Sequence, residues 1–396
     1  MMPIIYLKPR KEDSLLRFHP WVFSGAIAYI NGTPEEGGLV LVRSAKGDFL
    51  GIGHYQIGSI AVRILEFFTE ELPAGFWHDR IRAAYAMREA IGLISNDNNT
   101  YRLVHGEGDF LPGLVVDIYD DTAVLQAHSV GMHYMRHELA QAIVDVVPAV
   151  KNVYYKSEGT LPYKAQLKDA STDMLNGYLI GAESACLAKE NGLIFGIDWL
   201  RGQKTGFFVD QRENRMLLQR YARGKNVLNM FCYTGGFSVY ALRGGANLVH
   251  SVDSSAIAVD LVNQNVLRNF PDTRRHEAFV EDAFRYLEKA GDAYDLIILD
   301  PPAFAKHRGA VRNALQGYKR LNAKAFEKIR PGGILFTFSC SQAVDKDMFR
   351  LAVFSAAAMS KRKVRILHQL TQPQDHPVNI YHPEGEYLKG LVLWVE

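Results

Sequence analysis

From Lys225 onward, short apolar runs alternate regularly with helical stretches, and this alternation limits the fold more than any other feature of the chain. Residues 227–231 read as a strand, followed by a glycine turn and a helix over 237–242. Residues 248–252 follow as a strand and 256–269 as a helix. Further strands are expected at 277–280, 296–299 and 333–338. Strands separated by helices imply a parallel sheet covered on both faces, the doubly wound, Rossmann-like α/β class. Such sheets bind ligands beyond the carboxyl ends of their strands, so chemistry is expected in the turns after Phe231, Val252, Leu299 and Phe338.

Upstream the character differs. The first 72 residues read as short strands, with 39–43 and 49–54 flanking a turn at 45–47, then 60–65, and little helix. That is a small β-barrel pattern. Residues 76–91 carry apolar side chains at helical spacing (Phe76, Ile81, Ala84, Met87, Ile91). Strand-like 115–119 and 123–127, a helical run near 133–146 and a strand at 153–155 complete an α+β middle region. The division expected is 1–72, 73–182 and 183–396, with 171–190 as the transition into the last domain, and 396 residues suit two or three cores.

The apolar runs are too short to span a bilayer, residues 1–10 lack a signal-like apolar stretch, and three cysteines make no disulfide framework. A cytoplasmic protein without a membrane partner is expected. The net charge of +2 is neutral on the question of nucleic acid. Residues 306–330, however, hold eight Lys/Arg against one acid, Glu327. That stretch reads equally as a phosphate-facing surface or a solvated helix face.

The first turn, Cys232-Tyr233-Thr234-Gly235-Gly236, has two adjacent glycines where a dinucleotide site wants three spaced ones. It suits S-adenosylmethionine, which carries no phosphate and needs only close backbone approach. Asp253, followed by Ser254, ends the second strand, where a carboxylate can accept ribose hydroxyls. Glu281-Asp282-Ala283 ends the third, near the expected adenine, and Asp300-Pro301-Pro302 ends the fourth. Singly, each acid reads as a helix cap and each glycine as a turn; in order at successive strand ends they make a site.

VLNMFCYTGGFSVYAL (227–242), HSVDSS (250–255), EDAF (281–284) and DLIILDPPAF (295–304) resemble motifs of class I methyltransferases. With QKTGFFVDQRENR (203–215) and FSCS (338–341), the chain resembles bacterial large-subunit ribosomal RNA cytosine-5 methyltransferases. WVFSGAI (21–27) and GHYQIGSIAVRIL (53–65) resemble that family's RNA-binding PUA domain. The resemblance implies S-adenosylmethionine as cofactor and RNA as partner, 23S ribosomal RNA in a single-stranded or partly folded region. It implies that Lys204, Thr205, Gly206, Phe208 and Gln211 close over the cofactor. Relatives of this kind are often dimers, so a homodimer is also implied.

Cys340, between two serines after the fifth strand, is the candidate nucleophile. Carbon 5 of cytosine is too electron-poor to take a methyl unaided; a thiolate adding at carbon 6 makes it enamine-like. Asp300 is placed to meet the ring nitrogen or amino group. Lys306, His307 and Arg308 follow as candidate phosphate contacts, and the target base must be unstacked to enter. His128, His133 and His137 lack an HExxH arrangement and a fourth ligand, so no metal is assigned to them. Two other readings stand beside this one. The Asp-Pro-Pro-Ala-Phe turn also suits methylation of a base nitrogen, and the chain could be a non-catalytic RNA-binding ribosome assembly factor.

Overall fold

In the computed structural model the described residues are 2–162, 165, 167, 174–183, 186–291, 293–305 and 307–396. Part of the transition expected over 171–190, and Lys306, lie outside them. The chain forms two compact units. One holds Met1–Gly192, Ile197–Val209 and Gln374–Gly385; the other holds Leu193–Gly196, Asp210–Pro373 and Glu386–Glu396.

The second unit is built on a seven-stranded sheet. In spatial order its strands are His276–Val280, Leu248–Asp253, Asn226–Met230, Tyr294–Leu299, Ile329–Ser339, Lys389–Val395 and Val364–Leu370. The first five run parallel and the last two antiparallel to their neighbours. Numbered along the chain, the order is 3-2-1-4-5-7-6, with the strand order reversing between Asn226–Met230 and Tyr294–Leu299. A cleft for ligands is expected outside the carboxyl ends at that point. Leu296, Ile297, Ile298 and Leu299 are all fully buried, as a central parallel strand covered on both faces requires.

The helices flanking these strands have local causes. Ser255 caps Ala256–Asn269 by accepting from the Ala258 amide, and Asp345 caps Lys346–Ser360 by accepting from the Met348 amide. The basic stretch contains the helix Val311–Lys328, which buries Ala314, Tyr318, Leu321, Ala325 and Phe326 at helical spacing and leaves Arg312 and Arg320 exposed. Its apolar face was hidden in the sequence by the density of charge.

The first unit carries a six-stranded sheet, Trp21–Phe23, Ile60–Phe67, Phe49–Tyr55, Leu39–Arg43, Ile4–Leu7 and Ile27–Asn31. A five-stranded sheet joins Asn176–Ile180, Asn152–Lys156, Thr122–Ala127, Leu114–Tyr119 and Thr100–His105, with helices Phe76–Ala90 and Arg136–Val146. Each sheet has its own apolar core, around Val40, Val42 and Val62 in one and Leu103, Val116 and Leu125 in the other.

Arg88 ties this unit together from the interior. Fully buried, it pairs with both carboxylate oxygens of Asp109 and donates to the carbonyls of Arg102 and Asp375, at 2.8 Å each. Removing one partner of a buried ion pair strands the other charge in low dielectric. Arg88→Ala is therefore expected to lower unfolding stability by about 3–5 kcal/mol in a denaturant titration.

Candidate active site

The turn after Met230 is bent into an unusual path: Phe231, Tyr233 and Gly235 all have left-handed backbone angles, with φ of 58°, 45° and 79°. Glycine is needed at 235 for a second reason, since an added Cβ would lie 2.9 Å from Val262. At Gly236, the first residue of the next helix, a Cβ would meet Arg215 at 2.9 Å. The Gly pair thus gives a bare backbone ledge beyond the central strand. Cys232 is buried within this turn, and burial pushes its thiol well above the ordinary cysteine range. Thr234 is buried and its carbonyl accepts from Asn265 at 2.9 Å, which fixes the ledge to the helix Ala256–Asn269.

Asp253 is held beside the ledge. Its Oδ2 accepts from the Tyr233 amide at 3.0 Å and its Oδ1 from the Ser255 amide at 2.9 Å. Each carboxylate oxygen can accept more than one bond, so these amides orient the group without using it up. Ser254 beside it is exposed. Asp282 caps the helix Ala283–Lys289, accepting from Arg285 at 3.1 Å, and Ala283 is buried behind it. Bare backbone at 235–236 and oriented carboxylates at the next two strand ends form a donor set that fits a nucleoside with an amino-acid tail.

The fourth and fifth strand ends are joined. The Cys340 thiol, half-buried, faces the Pro301 carbonyl at 3.9 Å. Ser341 Oγ accepts from the Ala305 amide at 3.2 Å and lies 2.8 Å from the Tyr318 hydroxyl, which accepts from Ser339 at 2.9 Å. Lys389 donates to the Ser341 carbonyl at 2.7 Å. This buried network sets the backbone on both sides of Cys340.

Asp300 accepts from Gln211 Nε2 at 3.1 Å, and Gln211 in turn accepts from Asn214 at 2.6 Å. Burial first, then the Asp210 charge, raise the Asp300 carboxyl from an ordinary 3.8 to about 7. Burial and the negative charges of Asp300 and Asp210 push the Cys340 thiol up to about 12, opposed by Lys389. Burial lowers the Lys389 amine to about 8. Asp210 accepts from the Tyr387 hydroxyl at 2.7 Å through Oδ2, while its buried Oδ1 has no hydrogen-bond partner among the described residues.

The raised Asp300 carboxyl costs stability, with a definite sign. Well below pH 3.8 it is protonated in folded and unfolded chains alike, and the cost vanishes. As pH rises toward 7 the unfolded chain ionises first, so stability falls, and above about pH 7 the loss is complete. Asp300→Asn keeps an acceptor for Gln211 and cannot ionise. It is expected to be more stable than the parent by roughly 2–4 kcal/mol at about pH 8, with the difference closing as the pH falls below the unfolded value of 3.8, by thermal unfolding.

Cys232, Thr234, Gly235, Asp253, Ser254, Asp282, Ala283, Asp300, Cys340 and Gln211 all belong to the second unit, the first nine in or next to the turns at the carboxyl edge of its sheet. Lys204, Thr205, Gly206 and Phe208 belong to the first unit. There Thr205 donates to Asp117 at 2.6 Å and is buried, and Gly206, at φ 113°, leaves a Cβ only 2.9 Å from Ile197 and Trp199. Lys204 is exposed and Phe208 half-buried. Asp210 stands in the sequence beside Phe207-Phe208 as a convergent polar group without an assigned role, and Lys389 carries no site reading there. The structure places Lys389 at the site because the final strand is antiparallel: Lys389 pairs with Ser339, so the start of that strand lies at the carboxyl edge of the parallel strands.

A family model for S-adenosylmethionine-dependent methyltransferases matches residues 163–382, and a PUA-like domain model matches residues 5–67. Proteins named ribosomal RNA large subunit methyltransferase I are similar over their whole length. That of Tolumonas auensis is 39% identical over 399 residues, and that of Shewanella denitrificans 40% over 398, each covering 99% of both chains. Two solved structures match over 100% of both chains at 24% identity. One is assigned as a SAM-dependent methyltransferase from Streptococcus mutans, TM-score 0.84; the other, SMU.776, is assigned as a methyltransferase and is complexed with SAH, TM-score 0.85. At that identity the likeness is one of fold.

Proposed function

The chain belongs to the S-adenosylmethionine-dependent methyltransferase family, and from that premise we propose that it methylates 23S ribosomal RNA of the large subunit at carbon 5 of a cytosine. The observation that carries this reading is the Cys340 thiol, half-buried at a strand end beside Asp300 and Asp210. The cofactor supplies an electrophilic methyl group when bound. Gly235, Gly236, Asp253 and Asp282 are the residues of this unit that fit it; Lys204, Thr205, Gly206 and Phe208 are proposed as cofactor residues on the family resemblance alone.

The remaining chemistry falls to side chains. A thiol held near 12 must lose its proton before it adds to carbon 6; that proton passes to solvent, and the charge of the Lys389 ammonium, which opposes the rise of the thiol, favours the thiolate. Asp300, protonated up to about pH 7, gives its proton to the cytosine ring nitrogen as the carbon–sulfur bond forms. Carbon 5, now enamine-like, takes the methyl. Asp210, through its unpartnered Oδ1, removes the carbon 5 proton; the thiolate leaves and Asp300 regains the ring proton.

Base-nitrogen methylation would want the aromatic of the Asp-Pro-Pro-Ala-Phe turn free to stack on the target. Phe304 instead packs on Tyr318, ring centroids 4.7 Å apart, which supports the carbon reading. The PUA-like domain is proposed to add affinity for the RNA. Bisulfite mapping of ribosomal RNA from cells lacking the protein tests the proposal. One cytosine is expected to lose protection and regain it with the intact gene; an unchanged map would overturn it.

A further inference from the structure

His19, His382 and Glu384, all in the first unit, bring three ligand atoms within 4.8 Å of one another. His19 Nε2 lies 3.5 Å and His382 Nε2 3.7 Å from Glu384 Oε2. His382 is only 3% exposed, and neither of its ring nitrogens has a hydrogen-bond partner among the described residues. A buried imidazole with both nitrogens unmatched is rare in a folded protein and calls for an unseen partner. The Trp21 ring closes one side, 4.3 Å from the His382 ring and edge-on to it, and Trp21 is itself fixed by a 2.8 Å bond from Nε1 to Glu107.

We propose that His19, His382 and Glu384 form a binding site for a divalent transition-metal ion of the zinc class. The spacing fits such an ion. Bonds of about 2.0–2.2 Å in tetrahedral geometry place ligand atoms roughly 3.3–3.5 Å apart. The two carboxylate-to-imidazole separations need to shorten by a few tenths of an ångström, and the two imidazoles, within 4.8 Å of one another, draw together by up to about 1.5 Å. Two imidazoles and one carboxylate suit zinc better than magnesium or calcium, which prefer all-oxygen shells. Glu384 is 45% exposed in its side chain, so the fourth position opens to water.

Loading has one structural cost. The Trp21 amide donates to His19 Nδ1 at 3.3 Å, which places the ring proton on Nε2. Coordination through Nε2 moves that proton to Nδ1 and gives up this long contact, with no net change in protons on His19. The ion would clip the segment 374–385 to His19, just ahead of the strand Trp21–Phe23, within one unit.

The test uses the full chain, stripped with chelator and titrated with zinc against a chromophoric competitor, and in parallel loaded with cobalt(II). His382→Ala removes a buried group and risks the fold, so the exposed ligand is changed instead, as Glu384→Gln, together with His19→Gln. One zinc per chain is expected, with binding weakened about 10-fold or more in each variant. Tetrahedral cobalt bands are expected in the parent and lost in the variants, and zinc is expected to raise the melting temperature of the parent alone. Failure to take up one equivalent, or uptake and cobalt bands unchanged in both variants, would overturn the site.

Discussion

Cys340→Ala is expected to reduce methyl transfer to ribosomal RNA by a factor on the order of 10⁴ or more, while leaving S-adenosylmethionine affinity unchanged within about twofold. Without a sulfur to add at carbon 6 the pyrimidine never becomes nucleophilic, and no neighbouring side chain replaces it. Cys232 is buried in the turn after Met230 and packs away from solvent. The cofactor-facing ledge at Gly235 and Asp253 is tied by bonds that do not involve Cys340, so binding by calorimetry should persist. An enzyme working on a base nitrogen would keep most of its rate in this variant.

Asp210→Asn is expected to stall the reaction one step later, with turnover down by about 10²–10⁴. The amide keeps an acceptor for the Tyr387 hydroxyl but cannot take the carbon 5 proton. Addition and methyl transfer proceed once, the carbon–sulfur bond cannot break, and protein remains linked to methylated RNA. A denaturing gel should show this species with Asp210→Asn and not with the double variant Asp210→Asn/Cys340→Ala. Loss of turnover without the linked species would remove Asp210 from the role of base.

Much of this site was legible before the structure because parallel sheets advertise their active edge. Apolar runs ending in Asp253, Asp300 and Cys340 announce both a strand and what stands at its carboxyl end. Asp282 shows the limit of that logic, since its visible bond in the structure is a helix cap. Lys389 was hidden by direction: Val364–Leu370 and Lys389–Val395 run antiparallel to their neighbours, and nothing in an apolar run states which way it lies. The partner of Thr205 was hidden by distance, since Asp117 lies 88 positions away. The helix Val311–Lys328 stayed one of two readings because its five cations stand beside Tyr318, Leu321 and Phe326, whose helical spacing marks the buried face. The three-part division at 72 and 182 remains a proposal, supported by the separate cores within the first unit.

The most direct test follows the hydrogen that the proposed chemistry must expel. Ribosomal RNA carrying tritium at carbon 5 of its cytosines is incubated with the purified protein and S-adenosylmethionine. One tritium released to water for each methyl transferred is the predicted result. Methyl transfer with the tritium fully retained would contradict it.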